Sequence, residues 1–472
     1  FPTRRSSDLF AKDAQLRIQP QMVDKYETSA DKLTWTFTLR DGLEFHDGTP
    51  VTSADVIPSL KRWAVRDPLG QMLWTKVVDV KAVDPKTFQI VLKAPTGIML
   101  QALGKPSGNA FIMPKKVAET DPFKQITEYI GSGPMKFKKE EWVPGAKAVF
   151  ERFADYIPRA EPASWLAGGK KMLVDRIEWI IMPDPATASA ALQNGEVDWW
   201  ENPISDLVPV LKKNRNIEVD IGDPLGNIGA FRMNHLHPPF DNVKVRRAVL
   251  AAMNQEDYMR AIVGDDNKLW KPLPGFFTPD TPLYTESGGE ILKMRSLDAA
   301  KKLLQEAGYK GEPVTCVVAQ DQPNTKAMGD VTADLLKKMG MNVDFVATDW
   351  GTTGARRAQK TPPGQGGWNM FHTWHAGADC LNPAPYTAIR GNADKAWFGW
   401  PNSPTVEQEV TNWFEAKDLT EEKAVIARLN KAALDDVIFA PTGFFLSYTA
   451  WRKNVTGITK GPLPFFWGVS KA

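Results

Sequence analysis

Strand-period and helix-period segments alternate along most of this chain, and that order leaves few folds open. The run VDRIEWIIM (174–182) has the two-residue period of a strand. Asp184-Pro185 then supplies an N-cap and a proline at the first helical position, and residues 186–193 form a helical run closed by Asn194-Gly195, before VDWW returns as a strand. A helix is expected after Phe240-Asp241, with Val245, Val249 and Ala252 on one face. Another starts at Asn254, with Asp257 at its third position and Gly264 at its end. Beyond a Pro- and Gly-rich stretch (265–295) lies a compact series: helix 296–307, strand VTCVVA, helix from about 325 to 339 and strand NVDFVAT. The loop TPPGQGG leads into WNMFHTW, and a helix (421–434) precedes apolar strands around PTGFFLSY. Two separated stretches of this kind imply two α/β lobes.

The N-terminal part follows a different grammar. Trp35, Phe37 and Leu39 alternate with Thr34, Thr36 and Thr38 as in a half-buried strand, and Asp47-Gly48 supplies a turn. Thr52 with Asp55 resembles a capping box, after which Val56, Leu60 and Trp63 share one helical face. Pro58 sits inside that helix at a cost of about 3 kcal/mol, so a kink or a late helix start is expected. Residues 77–95 read as a hairpin around Asp84-Pro85.

Length and charge exclude several classes. At 472 residues the chain can hold two or three domains, and no apolar run approaches the roughly 20 residues of a membrane span. Its 58 basic residues against 56 acidic ones leave a net charge of +2, with no basic run that would argue for nucleic acid. Cys316 and Cys380 fit no metal or redox spacing. The 17 tryptophans suit stacking surfaces as well as core. No phosphate-cradling Gly-Lys loop, nucleophile elbow or spaced zinc set is present, so the residues give no footing for an enzyme or a cofactor.

The densest candidate segment is FHTWHAGADCLNPAPY (371–386). His372, His375 and Asp379 could in principle hold a metal, and His235 with His237 forms a second pair. A spacing of three on an extended chain, however, puts His372 and His375 on opposite faces. Trp368, Trp397 and Trp400 are candidate stacking residues, each with ordinary packing as the simpler reading.

Several blocks, in order, resemble one family. LTWTFTLRDGLEFHDGTPVTSADV (33–56), GSGPMKFKKEEWVPG (131–145), ALQNGEVDWW (191–200), NHLHPPFDNVKVRRAVLAAMNQEDYMRAIVG (234–264) and AAKKLLQEAGY (299–309) are similar to blocks of the family-five extracytoplasmic solute-binding proteins. Those are the oligopeptide, dipeptide and nickel binding components of ABC importers. The resemblance implies a large, type II (cluster C) periplasmic-binding-protein-like fold of the α/β class, two-lobed, with an additional N-terminal domain. The expected boundaries are 10–113 for that domain, 114–265 plus 445–472 for lobe 1, and 266–444 for lobe 2. It further implies a receptor that captures a peptide-like or other small solute in an interlobe cleft, as a monomer outside the cytoplasm or tethered to the membrane, with an ABC permease and ATPase as partners. No catalysis, cofactor or nucleic acid is expected.

By resemblance, Ala378-Asp379 followed by Asn382-Pro383 matches the stretch that closes over the ligand. This carries over Asp379 as partner of the ligand's α-amino group and Trp374 as pocket wall, beside His372, His375 and Asn382. The alternatives are a nickel or metal-chelate receptor and an extracellular hydrolase with a metal at His372, His375 and Asp379. The opening FPTRRSSDL (1–9) is similar to a translated sequencing-library adapter and is expected to be a non-native scar, with the first strand of lobe 1 and a signal peptide missing before it.

Overall fold

The computed structural model describes residues 8–472. Chain contacts divide them into two units, one from the N-terminus to Ala188 together with Arg452–Ala472, the other spanning Ser189–Trp451.

In the first unit a four-stranded antiparallel sheet has the order Val23–Thr28, Thr34–Leu39, Thr87–Leu92, Val77–Ala82. Its last two strands are the hairpin that the Asp84-Pro85 turn predicts. Phe37 and Phe88 are fully buried across the central pair, their rings 5.1 Å apart. Helix Ser53–Arg66 buries Val56, Leu60 and Trp63, the face expected from sequence. It starts at Ser53, not late: the Asp55 carboxylate accepts from the Thr52 backbone N–H at 3.0 Å and from its hydroxyl at 2.8 Å, which fixes the first turn ahead of Pro58. Pro58 lies within the helix, which continues to Arg66.

A second, three-stranded sheet joins Met135–Phe137, Lys147–Arg152 and Arg176–Ile180. The C-terminal segment belongs to this unit. Trp165 Nε1 donates to the Lys460 carbonyl and Trp467 Nε1 to the Trp165 carbonyl, both at 2.9 Å. Of the nine residues read as a scar, 1–7 lie outside the described residues. Asp8 and Leu9 are buried, with the Asp8 carboxylate 4.0 Å from the buried ammonium of Lys170. Burial pushes that ammonium down to about 8 against the pull of Asp8.

The second unit is built on a six-stranded mixed sheet of order Trp270–Lys271, Ala440–Phe445, Asn227–Met233, Met370–Ala376, Pro313–Ala319, Asn342–Thr348. Pro313–Ala319 and Asn342–Thr348 run parallel and are joined by helix Pro323–Lys338, as parallel pairing requires. Ala440–Phe445 is buried along its whole length, which explains its unbroken apolar reading. A three-stranded sheet of Trp199–Trp200, Tyr448–Arg452 and Ile217–Ile221 closes over Leu192, Leu211, Ile217 and Ala450.

These units differ from the boundaries expected at 113, 265 and 444. Strand Asn227–Met233, grouped from sequence with the residues before 265, pairs on one side with Met370–Ala376 and on the other with Ala440–Phe445. The sheet therefore runs across the Pro- and Gly-rich stretch instead of ending at it.

Candidate functional site

Strand Met370–Ala376 carries the candidate segment and sorts its side chains by parity. Its antiparallel register with Asn227–Met233 sets His372 opposite Phe231 and His375 opposite Ile228, so the two histidines project from opposite faces. His372 belongs to the core. Its Nε2 lies 2.8 Å from the Thr332 hydroxyl, which in turn meets the Tyr258 hydroxyl at 2.8 Å, and burial pushes the imidazole down to about 3. A metal shared by His372, His375 and Asp379 is incompatible with this arrangement. Among the described residues no group of three His, Cys, Asp or Glu side chains could hold a metal ion.

On the other face, His375 enters a nest of rings: Tyr386 and Trp397 at 5.5 Å and Phe439 at 5.7 Å. Burial first, then the charges of Arg232 and Arg357, push it down to about 3. Its Nε2 is buried and has no hydrogen-bond partner among the described residues. Trp374 points the opposite way and stacks on Trp350 at 6.4 Å with 26° between planes.

The strand ends in a single 3-10 turn, Gly377–Asp379, clamped from two sides. Gly377 N–H donates to the Gly226 carbonyl at 2.7 Å, and the Thr278 hydroxyl donates to the Gly377 carbonyl at 2.7 Å. A Cβ at 377 would sit 1.9 Å from the Leu225 carbonyl oxygen, so only glycine permits this approach. The clamp brings the turn at Asp223 to half-buried Asp379. Asp223 accepts from the Leu225 N–H at 2.9 Å, yet its carboxyl is pushed up to about 6, by burial first and further by the Asp379 charge. Sequence reasoning missed Asp223, because nothing local joins residue 223 to residue 379.

The remaining candidates divide. Asn382 spends its amide oxygen on the Ala384 N–H at 3.0 Å, capping a turn. Trp368 and Trp400 are buried in one cluster with Val317 and Phe371. Trp397 is half-buried and lies under two guanidinium groups, Arg232 at 5.2 Å and Arg357 at 5.4 Å. Arg232 is fully buried and donates to the carbonyls of Phe398, Ala388, Ile438 and Trp397. Arg357 was also missed from sequence. In the first unit, a surface groove of about 470 Å³ between helices Ser53–Arg66 and Lys115–Ala118 gathers no comparable chemistry. Its Arg62 is already committed to the Thr120 and Lys124 carbonyls.

Comparison with known proteins identifies the family. The family model of bacterial extracellular solute-binding proteins, family 5, matches residues 17–397. The chain is 36% identical over 467 residues to the "Probable peptide ABC transporter periplasmic-binding protein" of Sinorhizobium fredii, covering 98% of this chain and 87% of that one. It is 28% identical over 476 residues to the glutathione-binding protein of Escherichia coli, covering 95% and 85%. Its fold matches the periplasmic binding protein DppA from Helicobacter pylori in complex with the peptide STSA, with a TM-score of 0.82 at 22% identity over 99% and 92% of the two chains. The chain belongs to the bacterial extracellular solute-binding proteins of family 5, the solute receptors of ABC importers.

Proposed function

We propose that this protein captures a solute bearing a primary ammonium, of peptide or amino-acid type, and hands it to a membrane permease and ATPase without covalent chemistry. The observation that carries this reading is the pair of carboxylates, Asp379 and Asp223, held at one corner of the second unit by the Gly377 clamp. Two carboxylates close enough for one to oppose the other's ionisation form a corner that a cation relieves. The peptide description of the Sinorhizobium relative points the same way. Trp374 stacked on Trp350, and His375 against Trp397, put aromatic surface on the two faces of the strand that leads into Asp379. The protein acts as a monomer outside the cytoplasm in this reading, with no nucleic-acid partner.

A metal-chelate solute is the second reading, favoured by the buried Nε2 of His375, which has no hydrogen-bond partner among the described residues. In it the metal is cargo, and assay of purified protein for nickel and zinc separates it from an organic solute.

Calorimetry with a dipeptide and its N-acetylated analogue tests the main reading. Asp379→Ala should weaken dipeptide binding by about 2 to 5 kcal/mol, the range for removing one partner of a buried charge pair. Asp379→Asn should fall between Ala and the parent. Acetylation and Asp379→Ala should together cost much less than their sum. Full affinity in a folded Asp379→Ala protein would remove the residue from the site.

A further inference from the structure

Helix Ser53–Arg66 has two apolar stripes. Val56, Leu60 and Trp63 form the buried one. On another face, Ala54, Ile57, Pro58, Lys61 and Val65 recur at helical spacing and make one wall of the surface groove of about 470 Å³. Across from it stand Lys115, Ala118, Glu119, Thr120 and Pro122. Val65, at the end of the stripe, is 42% exposed, and Phe123, beside Pro122, is 70% exposed. A polar outer face is the rule for a surface helix, so this second stripe is an exception.

Pro58 belongs to the same stripe. Proline has no N–H, so the Ala54 carbonyl lacks the donor that would lie one turn on, and both residues line the groove. The residue that departs from helix grammar thus leaves an acceptor without its intrahelical donor at the groove wall.

The charge along the groove is one-sided. Arg62 gives its donors to the Thr120 carbonyl and, at 3.0 Å, to the Lys124 carbonyl, and Arg66 donates to the Pro122 carbonyl at 3.2 Å. Carbonyls satisfy such donors without neutralising the charge. Among the described residues no carboxylate pairs with Lys61, Arg62 or Arg66. Glu119, the carboxylate in the groove wall, lies 3.8 Å from the Lys115 ammonium. Arg62 and Arg66 also stand four residues apart on the helix, a like-charged spacing that weakens it and that an opposing acid relieves.

An apolar wall edged by uncountered cations fits a chain that supplies aliphatic side chains and several carboxylates together. From Ala54 to Val65 the stripe runs about 16 Å at 1.5 Å per residue, or three helical turns. A fatty acid brings a single carboxylate to that length, and a bilayer surface does not enter a concave groove. A helix laid in the groove reaches the whole stripe and presents acids at intervals.

We infer that this groove is an interaction surface for an acidic amphipathic helix of a partner protein. Its aliphatic side chains seat among Ile57, Val65 and Pro122, and its carboxylates meet Lys61, Arg62 and Arg66. The surface lies within the first unit, and the inference is independent of the solute reading.

The test uses the whole chain and labelled helical peptides of about 15 residues, the length at which an isolated helix becomes marginally stable. One peptide carries leucines at helical spacing flanked by glutamates, a second replaces the glutamates by lysines, and a third replaces the leucines by serines. Fluorescence anisotropy on the parent should show the Leu/Glu peptide binding at least about tenfold tighter than either control, and weakening as salt rises from about 0.05 to 0.5 M. Val65→Asp and the double variant Lys61→Glu with Arg66→Glu should each weaken it by about tenfold or more. Val65 and Lys61 are exposed, so the variants should keep the parent's melting temperature, which is measured alongside. Selection of a phage-displayed library of short random peptides on the parent gives a second measurement. Recovered sequences should be net acidic, carry aliphatic residues and fail to bind Val65→Asp.

Binding of the lysine peptide as tightly as the glutamate peptide, or full binding to folded Val65→Asp, overturns the inference. So does a selection that yields neutral or basic sequences, or none that depends on Val65. If phosphatidylglycerol vesicles sediment the parent but not Phe123→Ser, and no peptide binds, the face is a membrane contact and the inference fails.

Discussion

At the corner where the Asp223 turn meets the turn carrying Asp379, two carboxylates share a partly desolvated space, and the proton on Asp223 becomes part of the binding equilibrium. Its carboxyl is pushed up to about 6, so it is ionised at pH 7.5 and largely protonated at pH 5. A cationic solute prefers the ionised form. Below about pH 6 binding must expel a proton, so affinity for an amine-bearing solute should fall on acidification by up to about tenfold per pH unit. His375, pushed down to about 3, stays neutral through this range. Cys380 and Tyr386, pushed up by burial, do the same. Calorimetry with a dipeptide from pH 7.5 to 5 checks this: Asp223→Asn should flatten the profile and weaken binding at pH 7.5, and a flat profile in the parent would contradict it. At this scale the sequence was readable where chemistry depends on parity, as in the opposed faces of His372 and His375. It was silent where chemistry depends on who lies opposite, which is why Asp223 and Arg357 went unnoticed. Neither has a local pattern that distinguishes it from the chain's other acids and arginines.

Among the elements, the Gly377 clamp makes the Asp379 turn, and the test is steric. Gly377→Ala places a Cβ 1.9 Å from the Leu225 carbonyl oxygen, backbone that cannot swing aside, so the turn must shift. Overpacking of this kind costs about 1 to 3 kcal/mol, and dipeptide affinity should fall with it because the Asp223–Asp379 corner is displaced. Gly354→Ala is the control, since its Cβ meets nothing within 4 Å in helix Trp350–Arg356 and should be neutral or stabilise by up to about 1 kcal/mol. Denaturant midpoints and calorimetry measure both, and an unchanged midpoint in Gly377→Ala would contradict the steric account. Periodicity found many of the elements. Asn342–Thr348 matches its sequence reading at both ends, and helix Leu297–Glu306 falls within the expected 296–307, with Ser296 as its cap. Among the helices missed, two were missed for different reasons. Trp350–Arg356 is rich in Gly and Thr and shows no apolar face. Pro404–Glu415 carried a readable signal, a Ser403 cap, Pro404 at the first position and Val406, Val410 and Trp413 on one side.

For the whole molecule, the order of elements reveals an α/β protein but not which distant strands meet. The Pro- and Gly-rich residues 265–295 look like a boundary because they lack periodicity, whereas the sheet joins Asn227–Met233 to Met370–Ala376 across them. Strand pairing over such separations is decided by burial on both faces, which no local window shows. In the proposed reading this receptor takes an organic solute carrying a primary ammonium. A thermal-shift screen of the whole chain against peptides, amino acids, simple amines, sugars and nickel chelates tests it most directly. A ligand at 100 times its dissociation constant adds about 2.7 kcal/mol to the stability of the folded state, enough to raise the melting temperature measurably. Free peptides or amino acids should give the largest rise, their N-acetylated forms less, and sugars none. A melting temperature that moves only with nickel or its chelates, or moves equally with blocked and free peptides, would contradict it.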